Sequence, residues 1–292
     1  MSDASPALDE AFERMAGSDF ELPNGFVNHG PMACEALAAL GHDDRIDGWA
    51  RWFAEMVGEG PTPRDPGGPG AFAWSDALGD YQRLPEWIGF FERVVDDDGW
   101  SSVVEIWVPR LVPGMATALF HGLIRTAHAL RAVAAVDTAA RRAELARALG
   151  YWAARFRPGE APADLEPVVD PAQGVTSAAA HGARRYVDHP SIFYLHGVTG
   201  AMAVSLLLEH LTPDAGRAAL AQVRAEHGNL YRGPDPLSPV DGSGPWAEGV
   251  ALAAADSRDA HQVKLVEACR RGFEATADPW FVAAGRRVTS QD

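Results

Sequence analysis

The chain has 292 residues, 47% of them hydrophobic, and a formal net charge of −15 at pH 7. This length can form one large core, and the negative charge argues against partners that need clustered Lys and Arg, namely nucleic acids and anionic membranes. No secretory signal or membrane-spanning stretch is predicted. The only cysteines, Cys34 and Cys269, fit a reducing compartment, so we expect a cytoplasmic protein.

Apolar residues recur at helical spacing along most of the chain. This periodicity predicts helices over residues 6–15, 32–40, 43–57, 84–95, 100–111, 114–136, 139–156, 174–187, 192–211, 214–227 and 246–275. Loops rich in Gly and Pro separate them at 58–70, which could serve as a lid, and at 229–245. No window alternates as a strand does, and no nucleotide-binding signature is present. We therefore expect an all-α fold of about ten helices, one domain over residues 1–292 with its core at about 20–275, enclosing a buried metal site.

Five histidines lie in apolar helical surroundings or at helix entrances: His29, His121, His128, His196 and His261. Imidazoles from separate helices are how helical proteins build metal sites in their cores. An imidazole-rich set with an oxygen donor suits iron, zinc or copper, and the residues alone do not rank these metals. For any single histidine, a hydrogen-bonded core residue is the alternative interpretation.

One helix carries His121, Arg125 and His128 on a single face. The two histidines are about 10 Å apart along a straight helix at 1.5 Å per residue, so both can bind one metal only if the helix is distorted. Otherwise one of them does not bind the metal and instead orients a side chain that does. Glycines at 197 and 200, beside His196, predict a close backbone approach to a neighbour or a ligand.

Lys264 is the only lysine among the 25 Lys and Arg residues. A bias towards arginine should have removed a lysine that supplied positive charge alone, so we expect Lys264 to perform lysine chemistry. A buried ammonium can lose its proton, and the free amine can then react with a carbonyl or with carbon dioxide. The resulting carbamate would be an oxygen donor, one helical turn from His261. The alternative is a lone lysine on a helix surface.

Four motifs, taken in order, resemble the questin oxidase-like family over residues 20–275. They are Asn28-His29-Gly30-Pro31-Met32, the run from Pro113-Gly114 to His128-Ala129, His196-Gly197-Val198-Thr199, and His261 with Lys264. The resemblance implies oxidative ring cleavage of aromatic polyketides such as anthraquinones by molecular oxygen. It also implies a mononuclear non-haem iron held by four histidines and a carboxylated lysine, which in this chain must be Lys264.

The leading hypothesis is therefore an iron-dependent oxygenase that acts on a small phenolic polycyclic substrate. Arg125 is the candidate for pairing with a phenolate or an oxyanion. Any reductant would act from outside, because no flavin or nucleotide fingerprint is present. Two alternatives stay open, a zinc hydrolase and a metal-free helical protein that binds a flat aromatic ligand. The sequence predicts no oligomeric state.

Overall fold

The computed structural model describes residues 6–67, 72–159, 170–231, 246 and 248–290. Within these residues the protein is helical, and the only β-type pairings are two isolated bridges. The helices α1 to α14 are Pro6–Met15, Gly30–Ala39, Asp43–Ala54, Trp74–Ala77, Leu84–Asp98, Trp100–Leu111, His121–Ala135, Ala139–Arg155, Pro171–Asp188, Ile192–Leu207, Pro213–Leu230, Glu248–Asp256, Ala260–Thr276 and Pro279–Thr289. The all-α prediction is confirmed, although the described residues form fourteen helices and not about ten.

Short polar side chains begin several of these helices. Each accepts a hydrogen bond from the first turn and so satisfies one of the amide groups left open there. The capping residues are Thr138, Asp170, Ser191, Thr212, Asp259 and Asp278. Asp259 breaks the segment predicted as one helix over 246–275 into α12 and α13, because it starts a new helix there.

The predicted helix over 114–136 begins late, at His121. The three residues before it, Ala118, Leu119 and Phe120, have φ values of 50, 53 and 64°, which is the left-handed region. A left-handed turn cannot continue into a right-handed helix, so the helix starts afresh after it. In the predicted lid, the amide of Arg64 donates to the carbonyl of Pro85. Residues 68–70 of that loop, and residues 232–245 of the later one, lie outside the described residues.

Four helices form the centre of the molecule: α2, α7, α10 and α13. Each contacts the next, and α13 returns to contact α2, which closes a ring. Histidines near the N-terminal ends of these helices meet one another. Charged residues further along α2, α7 and α13 also meet, and Arg271 of α13 donates to the carbonyl of Met202 on α10. These helices therefore run in the same direction. The intervening helices provide the long connections that parallel neighbours require, and pack around the ring.

The helix α10 is the most apolar element of this ring. Together with the following 3-10 turn, residues Ile192–His210 are long and apolar enough to cross a membrane, but 61% of the stretch is buried inside the protein. That burial is typical of the core helix of a globular fold. Its glycines allow the close approaches predicted for them. A Cβ added at Gly200 would lie 2.8 Å from the Phe120 ring, and one at Gly197 would lie 1.9 Å from the Tyr231 hydroxyl.

Candidate metal centre

The structure brings four of the five predicted histidines together. Ligand atoms of His29, His121, His196 and His261 all lie within 4.8 Å of one another. We refer to these four residues as the histidine cluster. His29 immediately precedes α2, His121 begins α7, His196 lies one turn into α10, and His261 is the second residue of α13. The cluster is therefore built from the N-terminal ends of the four central helices.

Two separations inside the cluster are short. The Nε2 atom of His121 lies 2.8 Å from Nε2 of His29 and 3.1 Å from Nε2 of His196. Two nitrogens that bind one ion at 2.0–2.1 Å from neighbouring positions lie roughly 3 Å apart, so these separations match a shared ion. The ring of His261 packs against the ring of His29, with the centroids 4.5 Å apart.

Hydrogen bonds on the outer side of three rings decide which nitrogen carries the hydrogen. Nδ1 of His121 donates to the carbonyl of Ala118, and Nδ1 of His196 donates to the carbonyl of Ile192 at 2.7 Å. Nδ1 of His261 lies 3.2 Å from the carboxylate of Asp259. Because carbonyl and carboxylate oxygens only accept, Nδ1 of each ring must be the protonated nitrogen. Metal-binding histidines in proteins commonly have this outer bond.

Consequently, Nε2 of His121 and Nε2 of His196 face each other at 3.1 Å without a hydrogen between them. Two lone pairs that face each other at this distance repel. His29 can donate to one neighbour from its own Nε2, but that bond would not relieve the contact between the other two rings. A positive ion between the nitrogens would relieve it, so the donor arrangement fits a metal.

The electrostatic surroundings keep these rings neutral. Burial, followed by the charge of Lys264, holds the pKa of His29 well below its ordinary range. The same two causes lower the pKa of His121 to about 3. Burial also lowers the pKa of His196 and of His261. Neutral imidazole is the form that binds metals such as zinc, copper and iron.

Lys264 lies one turn beyond His261 on α13 and is fully buried. Its Nζ atom has no hydrogen-bond partner among the described residues. Burial lowers its pKa to about 7, although Asp259 opposes that change. Its charge contributes to the lowered pKa of all four histidines of the cluster. An unpaired buried ammonium is costly, so this group needs a partner or a chemical change.

The backbone on either side of the cluster is held by Asn28 and Asp259, whose roles are not apparent from the sequence alone. The side chain of Asn28 accepts from the amide of Gly30 at 2.9 Å and donates to the carbonyl of Asp19 at 2.7 Å, which anchors the segment of His29. Asp259 caps α13 and also binds the ring of His261. The only sequence signal was the position of Asp259, a favoured capping residue immediately before a helix.

The fifth histidine is not part of the cluster. His128 lies two turns along α7, where its Nδ1 contacts the carboxylate of Glu35. Arg131 bridges that carboxylate to Glu267, which also pairs with Arg271 at 2.5 Å. Because α7 is a regular helix from His121 onwards, it cannot deliver His128 to the same point as His121. We refer to these residues on α2, α7 and α13 as the charged layer.

Arg125 does not contact the cluster among the described residues. It is buried between α7 and α8, where its guanidinium makes two bonds to Glu144, at 2.6 and 2.9 Å. It also lies 4.6 Å above the ring of Phe20. Its Nε and Nη2 donors join α7 to α8, and the described residues do not bring the guanidinium to the histidine cluster, where the predicted pairing with a phenolate would take place.

No protein-family model matches this chain, and a search of curated proteins finds no match. The resemblance to the questin oxidase-like family therefore rests on the four motifs. Three of those motifs contribute one histidine each to the cluster, and the fourth contributes His261, with Lys264 one turn further along α13.

Proposed function

We propose that the protein is an iron-dependent oxygenase of the questin oxidase-like type, with His29, His121, His196 and His261 as metal ligands. The supporting observation is the convergence of imidazole lone pairs, above all the 3.1 Å contact between Nε2 of His121 and Nε2 of His196. Iron bound there would supply redox chemistry with molecular oxygen, and electrons beyond those of the substrate would come from an external reductant.

Lys264 is proposed to be carboxylated. Its neutral amine attacks carbon dioxide, a nitrogen–carbon bond forms, and one proton leaves to solvent, so that the ammonium is replaced by an anionic carbamate. Two features of the site favour this change. The Nζ atom has no hydrogen-bond partner in the described part of the chain. The site also collects positive charge, because the N-terminal ends of four helices meet there.

The magnitude of that positive charge is considerable. A helix N-terminus carries about half an elementary charge, so four of them contribute on the order of two. Asp259 offsets part of it at α13. Neutral imidazoles bring no negative charge, and a metal ion would add more positive charge. An anion at Lys264 therefore stabilises a bound cation, whereas an ammonium would repel it.

A substrate would approach from the side of His261. The His261 side chain is 21% exposed, whereas His29, His121 and His196 are 5% exposed or less. A cavity beside His261 is lined by the polar residues Tyr186, Ser191, Asp259 and Gln262 and by apolar residues. These residues would position a phenolic aromatic molecule next to the cluster, in place of the role first predicted for Arg125.

A zinc hydrolase is the second candidate, because four neutral imidazoles with a carboxylate suit zinc as well as iron. The same residues would then hold the ion, and turnover of an ester or lactone would not depend on oxygen. Metal content decides between the two candidates, because only the oxygenase requires iron.

The test is anaerobic loading of the purified protein with iron(II) or zinc, in buffers with and without bicarbonate, followed by metal analysis. We expect stoichiometric iron that depends on bicarbonate, and a carbamate signal after supply of ¹³C-labelled bicarbonate. Lys264→Arg should reduce metal affinity by more than about tenfold, since guanidinium does not form the carbamate.

Lys264→Glu is the matched control, because it supplies a carboxylate without carbon dioxide. This variant should retain some metal, and its loading should not respond to bicarbonate. A wild-type protein that retains no metal under any of these conditions would refute the proposed centre. Retention of zinc alone, with oxygen-independent turnover, would favour the hydrolase.

A further inference from the structure

Solvent reaches the histidine cluster on the side of His261. Within the cluster, His261 is partly exposed, whereas the side chains of His29, His121 and His196 are buried. Lys264, one turn further along α13, is fully buried as well. The described part of the structure therefore leaves the side of His261 as the way by which an ion can move between solvent and the cluster.

Two adjoining depressions of the surface lead to His261. The inner depression has a volume of about 190 Å³, and its lining includes His261 and Asp259. The outer groove has a volume of about 730 Å³, and its lining includes Asp188 and His189. Residues 190–191 line both, so the two spaces adjoin. The inner depression has room for about six water molecules at roughly 30 Å³ each, so an ion can enter it without first losing all of its water.

The charge of this surface favours cations. Asp188 and Asp259 are exposed carboxylates, and no Lys or Arg is among the described residues that line the two depressions. The helix α9 ends at Asp188, and the C-terminal end of a helix carries about half a negative elementary charge. The helix end repels a carboxylate at that position, so a nearby cation would stabilise it. The outer groove is therefore a place where a positive ion is favoured.

Asp188 and His189 can also bind an ion directly. Nδ1 of His189 donates to the carbonyl of Asp188 at 2.8 Å, which leaves the lone pair of Nε2 available. Nδ1 also lies 3.5 Å from the carboxylate of Asp188, so an imidazole and a carboxylate lie side by side. His261 and Asp259 form a second such pair at the inner end, with 3.2 Å between Nδ1 and the carboxylate. Imidazole together with carboxylate is a donor set that suits iron and zinc.

We propose that the outer groove and the inner depression form the route by which a divalent metal ion reaches the cluster. Asp188 and His189 are a transient metal-binding site at its outer end, and His261 is the first cluster histidine that the ion meets. The destination rests on the proposed function, whereas the outer site rests on the charge and the donors of the surface. Because entry and exit share one barrier, residues of the route change both rates by the same factor and leave the affinity unchanged.

The experiment measures how fast the metal-free protein takes up iron(II) in anaerobic bicarbonate buffer, and how fast a chelator removes that iron. The double variant Asp188→Asn with His189→Gln should slow both processes by roughly two- to fivefold at low salt, and less in about 0.5 M salt, because salt screens exposed charges. Its final iron content should equal that of the wild type. Glu209→Gln with His210→Gln is the matched control, since this acid–histidine pair follows α10 at the end away from the groove, and it should change neither rate.

A second variant tests the shape of the route independently of its charge. Ile192 is an exposed residue that lines the inner depression, so Ile192→Trp should narrow it and slow both uptake and removal at every salt concentration. Ile106→Trp, the same change at an exposed site on α6, is the control and should change neither rate.

Normal iron content with unchanged rates in both variants would overturn the route and leave the metal centre standing. Equal slowing in the Glu209 and His210 control would also overturn it, because the effect would then come from net charge alone. A reduced final iron content in the Asp188 and His189 variant would assign these residues to the bound state and not to the route. A wild-type protein that takes up no iron would refute the metal centre, and the route with it.

Discussion

His121 and His128 show how position along one helix determines the chemistry of a residue. Both are buried on α7, but His121 lies in the histidine cluster and His128 pairs with Glu35 in the charged layer. Although burial opposes it, the charges of Arg131 and His128 hold the pKa of Glu35 below its usual value. His128 is thus a partner for a buried carboxylate, and its removal should affect stability more than metal binding.

Substituting His128 and substituting a histidine of the cluster should therefore change different properties of the protein. His128→Ala should lower the free energy of unfolding by about 1–3 kcal/mol, because it removes a buried hydrogen-bond partner, and should leave the metal stoichiometry unchanged. His196→Ala should lose the metal. Metal analysis and urea unfolding of both variants provide the measurement. Loss of metal in a folded His128→Ala protein would contradict this separation of roles.

The backbone immediately before His121 is strained. Left-handed conformation costs roughly 1–2 kcal/mol for each non-glycine residue, and Ala118, Leu119 and Phe120 all adopt it. The carbonyl of Ala118 accepts the hydrogen of His121 Nδ1, so the strained turn directs Nε2 of His121 into the cluster. Strain that surrounding packing maintains in this way often accompanies a functional site.

Relief of this strain should stabilise the fold. We expect Ala118→Gly to raise the free energy of unfolding of the metal-free protein by up to about 1 kcal/mol, because glycine accepts positive φ without steric cost. Ala218→Gly, at an exposed position within α11, is the control and should lower it by about 1 kcal/mol. Denaturant titration of both variants checks the sign. A destabilised Ala118→Gly protein would show that the turn is not strained.

At the scale of the helices, glycine follows three of the four cluster histidines. A Cβ at Gly30 would lie 2.5 Å from the sulfur of Met15, and one at Gly122 would lie 2.8 Å from Trp152. At Gly197 the separation from the Tyr231 hydroxyl would be 1.9 Å. Each glycine therefore lets a neighbouring side chain pack directly against the backbone beside a cluster histidine, which limits the movement of the ring.

The closest of these approaches gives the sharpest prediction. Gly197→Ala should destabilise the protein by about 1–3 kcal/mol, the usual cost of overpacking. Tyr231→Phe should recover part of this loss in the double variant, because the next atom of that ring lies 2.9 Å from the added Cβ. Gly228→Ala is the control, since it also follows a histidine and has open space around it. Equal thermal unfolding temperatures for Gly197→Ala and Gly228→Ala would contradict the packing argument.

Helical periodicity was sufficient to predict the class of fold and the helices that carry the cluster. His29, His196 and His261 could be predicted as partners because each lies where an apolar helix begins or next to glycine. The choice between His121 and His128 could not be predicted, since periodicity gives the face of a helix but not the depth at which neighbours meet it. The left-handed turn at residues 118–120 could not be predicted either, because Ala and Leu favour a right-handed helix.

On the scale of the whole molecule, buried neutral bases determine how stability depends on pH. Burial lowers the pKa of His121 to about 3 and that of His227 to about 4, below the ordinary 6.5. At a pH between the lowered pKa of each histidine and 6.5, the unfolded chain binds protons that the folded protein does not, so acid favours unfolding. Lys264, lowered to about 7 from 10.5, adds a similar loss of stability as the pH falls from 10.5 to 7.

The metal-free protein, prepared with a chelator, should therefore lose stability as the pH falls from 6.5 to 4.5. The slope should be about 1.4 kcal/mol per pH unit for each buried histidine. Urea unfolding across this range measures it. His227→Gln should reduce the slope, whereas His189→Gln should not, because the side chain of His189 is 80% exposed. A stability that is constant or rises towards pH 4.5 would contradict the assignment of neutral buried histidines.

The order of the cluster histidines along the chain has a consequence for biosynthesis. His29 immediately precedes α2, the first of the four central helices, but His261 and Lys264 come from α13, the last of the four along the chain. The ring of four parallel helices cannot close until this last member is present. Chains that end before α13 would thus expose three histidines without His261 and Lys264, and the metal of the proposed function could be held only after α13 has been synthesised.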